Sequence, residues 1–289
     1  MEMKYKPFAR QVEQGQTGNP RPHEPSGGKY TVAMRIVAHT CSNTEIVCAL
    51  GRANWLVGVD DHSDHPADVV RHLPRIGADL DVDVERIRRL APDLVITSLT
   101  VPGHERCLAR IREAGLPHLV TRPQSLDDVA ADIRRIGRAL DADAAAERLA
   151  GRFDALTERS PSSDPVPVLV EWWPKPVIVP AGRSWVNEML TLAGGFNPFA
   201  QVDAESTEVS TDRAVEAMPE AIVMSWCGVD EAKYRPHVVL RRDGWQDIPA
   251  IRSRNIHAIS EAWLGRPGPR LLDGIERLRS VIERSRGDN

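Results

Sequence analysis

Val82-Asp83-Val84-Glu85-Arg86-Ile87-Arg88-Arg89-Leu90-Ala91-Pro92-Asp93-Leu94-Val95-Ile96-Thr97-Ser98 lies without a gap over Val209-Ser210-Thr211-Asp212-Arg213-Ala214-Val215-Glu216-Ala217-Met218-Pro219-Glu220-Ala221-Ile222-Val223-Met224-Ser225. Each copy reads as a capping residue, a short helix, a proline that ends it, an acid and an apolar run of strand length. The runs Leu94-Val95-Ile96 and Ala221-Ile222-Val223-Met224 do not alternate with polar residues, so each predicts a parallel strand covered on both faces. One unit written twice, far apart in the chain, predicts two halves of like construction rather than one continuous sheet.

Working outward, the segment before the first copy predicts a strand over Val32 to Ala38, a turn at His39-Thr40-Cys41 and a helix whose start is signalled by Ser42 and Glu45 as a capping box. A strand over Leu56 to Val59 follows, and His104 to Ala114 and Leu119-Val120 continue the alternation of helix and strand. From Ser125 to about Ser160 the apolar residues recur at three- and four-residue steps, with a possible break at Asp141. That spacing predicts a helical link of about 30 residues, on the order of 45 Å at ~1.5 Å per residue, long enough to join two lobes. A second alternating series then runs from Val168 to a last helix near Arg270 to Glu283. The expected fold is therefore α/β, with two Rossmann-like lobes (32–123 and 161–289), a linking helix (124–160), a ligand cleft between the lobes and a disordered tail over 1–31.

Bulk properties narrow the function. The 289 residues carry 37 basic and 41 acidic side chains, a net charge of -4 that supplies no broad basic field, which argues against nucleic acid as a partner. No apolar run approaches the ~20 residues a membrane-spanning helix needs. The N-terminal segment lacks the apolar middle and cleavage site of a secretory signal, so the chain as written reads as cytoplasmic unless its start lies elsewhere or export follows another route. The four cysteines form no C-x-x-C pair, and no G-x-S-x-G, H-E-x-x-H, Walker A or G-x-G-x-x-G motif occurs, so neither a zinc site nor a common enzyme class is indicated.

Trp172, Trp173, Trp226 and Trp263 lie at or just after strand ends, where open α/β sheets hold their ligands. Flat indoles suit a macrocycle or a catechol-type chelate, although a tryptophan is as readily a core residue. Arg183 and Arg266 could meet a carboxylate or phosphate, with surface arginine as the alternative. Asp60-Asp61-His62-Ser63-Asp64-His65 holds several possible metal donors, but consecutive residues rarely converge on one ion; a rim loop contributing His62 is the better reading, and no direct metal site is expected. Cys41 stands beside a helix N-terminus, which could give it thiolate character or simply require a small residue in a tight turn. Glu85 and Asp212 occupy the same point of the repeat, in the first helical turn, where the macrodipole favours acids and where matched charges could also meet a two-fold symmetric partner.

The strings Ser42-Asn43-Thr44-Glu45, Val57-Gly58-Val59 with Asp64-His65-Pro66, Leu73-Pro74-Arg75-Ile76-Gly77, Val84-Glu85-Arg86-Ile87 with Ala91-Pro92-Asp93-Leu94-Val95, and Pro269-Arg270 with Gly274-Ile275-Glu276 resemble the helical-backbone periplasmic binding proteins for vitamin B12, ferric siderophores and haem, the cobalamin-binding members most nearly. The resemblance covers about Ala33 to Ile282. It implies a non-enzymatic protein, expected as a monomer outside the cytoplasm, that carries a corrinoid or metal chelate non-covalently and delivers it to the permease dimer of an ABC-type importer. It further implies that Glu85 and Asp212 dock on that permease, Asp212 standing where the family usually has Glu. His62 matches a pocket Tyr, Trp172 a pocket Phe and Arg266 a pocket Arg, while Asp79, Ser98 and Thr207 stand where the cobalamin binders carry tryptophans and Ala262 replaces an acid. A cytoplasmic corrinoid or metal-chelate carrier or sensor of the same fold is the alternative that the N-terminus suggests.

Overall fold

The structure is a computed structural model that describes residues 33–157 and 160–287. The expected tail lies outside the described residues. Strands β1 (Ile36–Ala38), β2 (Leu56–Val59), β3 (Gly77–Ala78), β4 (Asp81–Val82), β5 (Leu94–Ser98) and β6 (His118–Thr121) belong to the first half. The second half holds β7 (Val166–Glu171), β8 (Trp173–Pro174), β9 (Val177–Pro180), β10 (Gly195–Phe196), β11 (Ser206–Glu208), β12 (Ala221–Met224) and β13 (Ile256–Ala258). Two four-stranded sheets, ordered β2-β1-β5-β6 and β10-β7-β12-β13, share no strand, and every pairing within them is parallel. The two copies of the repeat thus end in β5 and β12, which hold the same place in their sheets.

The repeat extends to backbone detail. Helices α1 (Cys41–Ala49), α2 (Ala67–Val70), α3 (Val84–Arg89) and α4 (His104–Glu113) belong to the first half. The link carries α5 (Leu126–Ala139) and α6 (Asp143–Thr157), and the second half carries α7 (Val186–Ala193), α8 (Thr211–Glu216), α9 (Pro236–Leu240), α10 (Pro249–Arg252), α11 (Glu261–Leu264) and α12 (Leu271–Gly287). Asp83 caps α3 by accepting the Arg86 N–H, and Ser210 caps α8 by accepting the Arg213 N–H. After each helix one residue swings to φ 44, Ala91 in one copy and Met218 in the other, and the proline follows.

Alternate strand residues divide each sheet between two interiors. Val37 and Val95 face an interior of the first half, Leu169, Ile222 and Met224 one of the second, and Ile36, Ala38, Ile96, Val168, Val170 and Val223 turn into a single core common to both. Residues of α5, α6, α7 and α12 complete that shared core, among them Ile133, Phe153, Met189 and Ile275.

Two expectations need correction. The link is helical but is not one 45 Å rod: the chain turns at Asp141 (φ 47), and Arg134 of α5 pairs with both Glu147 and Asp154 of α6, which requires the helices to fold back on each other. Gly137 makes the fold-back close, since a Cβ there would lie 2.2 Å from that of Ala146. Ser42 and Glu45 form no capping box. The chain turns at Thr40 (φ 82), α1 already begins at Cys41, and the Glu45 carboxylate is taken by arginines of the other half. At Ser125 the capping box with Asp128 does form.

Candidate functional site

A cleft of about 300 Å³ opens at the carboxyl ends of the parallel strands. The loop Leu99 to Pro102, which leaves β5, and Pro123, beyond β6, supply one wall. Trp172, Trp173, Ile178, Arg183, Trp185 and Glu205 supply the other, and Ser184, Ser206, Cys227 and Gly265 complete it.

Trp172 and Trp173 are brought together where the sequence placed them. Trp173 is 41% exposed, and its indole N–H donates to the Lys175 carbonyl at 3.2 Å, so the side chain is tethered at the cleft wall while much of it stays open to solvent. Trp185 was not foreseen. It is nearly buried, its N–H donates to the Leu264 carbonyl at 2.8 Å, and it lines the cleft. A polar helix start at Ser184 hid it. The rim residues Val101, Pro102 and Pro123 could have been found from the rule that loops leaving strand ends make the ligand site.

Six expected ligand contacts, Trp226, Ser98, Trp263, Arg266, Cys41 and His62, lie outside the cleft lining. Trp226 is 6% exposed and points into the second half, where its N–H donates to Glu171 at 2.8 Å and its ring meets Tyr234. Glu171 is itself buried and paired with Arg242 at 2.7 Å, so this carboxylate draws the indole inward. Ser98 is fully buried, and its hydroxyl is shared among Thr40, Asn43 and Thr121 at 3.1, 2.9 and 2.7 Å. Trp263 packs on the shared core beneath Arg270 and Arg277, whose guanidinium carbons stand 5.2 and 4.2 Å from its ring centre. Arg266 is bound by carboxylates: Asp64 at 2.6 Å, Glu261 at 2.9 Å and Glu45 at 3.6 Å.

Together with Arg270, which also holds Glu45, Arg266 forms an ion cluster that ties α1 and the Asp64 loop of the first half to α11 and the segment between α11 and α12 of the second. Burial pushes the Glu45 carboxyl up against the pull of Arg270 and Arg266. At Asp64 burial works in the same direction, but the Arg266 hydrogen bond and charge prevail and hold it below its ordinary value. Cys41 lies against this cluster, its thiol 3.1 Å from the His62 carbonyl, and burial raises its pKa. Burial, with Asp60 adding in the same direction, favours the thiol over the thiolate at Cys41.

His62 is exposed, with Nε2 3.6 Å from one oxygen of Asp79, while the buried His104 stands 3.8 Å from the other. Neither histidine lines the cleft. Among the described residues no group of three or more His, Cys, Asp or Glu side chains is arranged to hold a metal ion, and no helix is long and apolar enough to cross a membrane. Glu85 and Asp212 are exposed in the first turns of α3 and α8; Glu85 is engaged by Arg88 at 2.7 Å.

The sequence profile of a family described as periplasmic binding protein matches residues 36–262. The chain is 26% identical over 260 residues to the vitamin B12-binding protein of Vibrio campbellii, covering 87% of this chain and 90% of that one. It is 30% identical over 259 residues to YvrC, an uncharacterized ABC transporter substrate-binding lipoprotein of Bacillus subtilis, covering 86% and 79%. Its fold superposes with a TM-score of 0.75 on the periplasmic heme-binding protein RhuT from Roseiflexus sp. RS-1 in apo form, at 30% identity over 88% of this chain and 99% of that one.

Proposed function

Because the chain belongs to the periplasmic binding protein family, a family of substrate-binding proteins and not of enzymes, we propose that it binds a corrinoid or an iron chelate such as haem in the cleft and hands it to the permease of an ABC-type importer. The observation that carries this reading is the aromatic wall: two adjacent indoles, Trp172 and Trp173, face an apolar rim of the opposite half across a gap at the strand ends. Stacking a flat ring on an indole contributes roughly 0.5–1.5 kcal/mol beyond area burial. The relatives named above as B12-binding and heme-binding support this ligand class, and the names periplasmic and lipoprotein support a site of action outside the cytoplasm rather than the cytoplasmic placement read from the N-terminus.

Glu85 and Asp212 are the proposed permease contacts, one exposed carboxylate on each of two equivalent helices. Tryptophan fluorescence titrated with cobalamin, cobinamide, haem and ferric siderophores tests the ligand reading. Saturable quenching by at least one of them is expected, and a flat response to all would remove it. Charge reversal at both acids should abolish stimulation of the reconstituted importer while leaving that titration unchanged; retained stimulation would refute the docking role.

A further inference from the structure

We propose that Arg183 sets ligand specificity in the cleft, selecting a flat, apolar-faced ligand that carries an anionic group, a carboxylate or a phosphate, on its edge. This deepens the reading of the cleft as a ligand site and rests on it. The sequence singles out two arginines, Arg183 and Arg266, for such a contact. Arg266 has three carboxylates within 3.6 Å, so its charge is already matched. Arg183 lines the cleft itself, with its side chain 46% exposed, and its ion pair is with Asp203 at 3.2 Å, a carboxylate 88% exposed. A pair so open to water contributes little and is readily exchanged. A ligand anion that meets the guanidinium in a bidentate way, in a site it partly dries, replaces Asp203 with a stronger contact.

The backbone holds Arg183 for this task. Its N–H donates to the Ala204 carbonyl at 2.8 Å, and the Gly182 N–H donates to the Val202 carbonyl at 2.8 Å. A Cβ at Gly182 would stand 2.6 and 2.7 Å from the carbonyl oxygens of Ala200 and Val202, so only glycine lets the loop press against that turn. The strand that leads into it, β9, carries Ile178 directly opposite Trp173, and both residues line the cleft. One short antiparallel sheet thus presents an apolar face and, just beyond its end, a cation. Glu205, the acid in the same wall, lies 3.5 Å from Arg122 of the opposite half, while the carboxylate paired with Arg183 is Asp203.

The test uses the full chain and two pairs of probes: haem against its dimethyl ester, which differ in the carboxylates, and cobalamin against cobinamide, which lacks the phosphate together with the ribose and base it carries, so that the phosphate is read from the effect of Arg183→Gln on each member. Each pair is titrated by tryptophan fluorescence into the unchanged protein, Arg183→Gln, Arg183→Lys and Asp203→Asn. In the unchanged protein the acid-bearing member of at least one pair should bind about tenfold tighter than its partner, which is ~1.4 kcal/mol. Arg183→Gln should bring that ratio to about one by weakening only the acid-bearing member, Arg183→Lys should retain part of it, and Asp203→Asn should increase it. A ratio that survives Arg183→Gln, or equal weakening of both members, overturns the inference while leaving the cleft reading intact. Failure of all four probes to bind removes the cleft reading and the inference together.

Discussion

Glu45→Gln removes the charge that Arg266 and Arg270 share, at the point where the two halves are joined by ions. Glu45 is 3% exposed at its side chain, with Arg270 15% and Arg266 12% exposed, so the cluster is largely screened from water. Deleting one partner of a buried ion pair costs about 3–5 kcal/mol because it strands the other. Here the stranding is incomplete. Arg266 keeps Asp64 and Glu261, and Arg270 keeps Asp64 at 3.8 Å and the face of Trp263 at 5.2 Å. The expected loss is therefore about 2–3 kcal/mol, below the full range for a buried pair. In a chain of this size that is a fall in Tm of about 3–6 °C. Asp64→Asn is the control: that carboxylate is 60% exposed, so its loss should cost under ~1 kcal/mol. Urea unfolding at neutral pH, followed by circular dichroism, measures both. A Glu45→Gln variant within ~0.5 kcal/mol of the parent, or an Asp64→Asn variant that costs as much as Glu45→Gln, would refute the cluster as a buried tie between halves.

Three further outcomes separate interior from cleft. Trp173→Ala should weaken ligand binding about threefold to tenfold with stability unchanged within ~0.5 kcal/mol, whereas Trp226→Phe should cost about 1–3 kcal/mol in urea and leave the titration as it was. The reverse pattern would mean that the two indoles have been assigned to the wrong surroundings. Gly182→Ala should destabilise by about 1–3 kcal/mol and weaken binding of an acid-bearing probe, because the new methyl meets backbone carbonyls that cannot turn aside; unchanged binding would show that the loop does not fix Arg183. Burial lowers the pKa of His39, which is bonded to Thr97 and to the Asp79 carbonyl and has His104, Asp60 and Asp79 around it. Its neutral form is favoured by folding, so its contribution is complete above the unfolded value of about 6.5 and is lost as pH falls below it, at up to ~1.4 kcal/mol per pH unit. His39→Gln should flatten that part of the stability profile, and an equally steep acid limb in the variant would assign the loss to other groups.

What the sequence made legible was local. Caps at Asp83 and Ser210, the prolines after Ala91 and Met218 and the unbroken apolar runs each act within a few residues, and together they placed both copies of the repeat correctly. What it hid depended on partners far away. Glu45 looks like a helix-capping acid until Arg270, 225 residues later, is placed beside it. Arg266 looks like a free cation until Asp64, 202 residues earlier, is found on it. Trp172 and Trp226 look alike as aromatic residues after strands, yet one faces the cleft and the other is drawn inward by a carboxylate 55 residues away. The break at Asp141 was legible, but the fold-back of α6 on α5 was not, because an apolar stripe records which faces are buried and not whether the axis is straight.

The interior common to both sheets bears on how cargo is taken up. Val168, Val170 and Val223 of one sheet and Ile36, Ala38 and Ile96 of the other belong to the same apolar cluster, so prising the sheets apart would wet it. We predict that ligand uptake leaves the two sheets together, so that small-angle scattering of the empty and loaded protein gives the same radius of gyration.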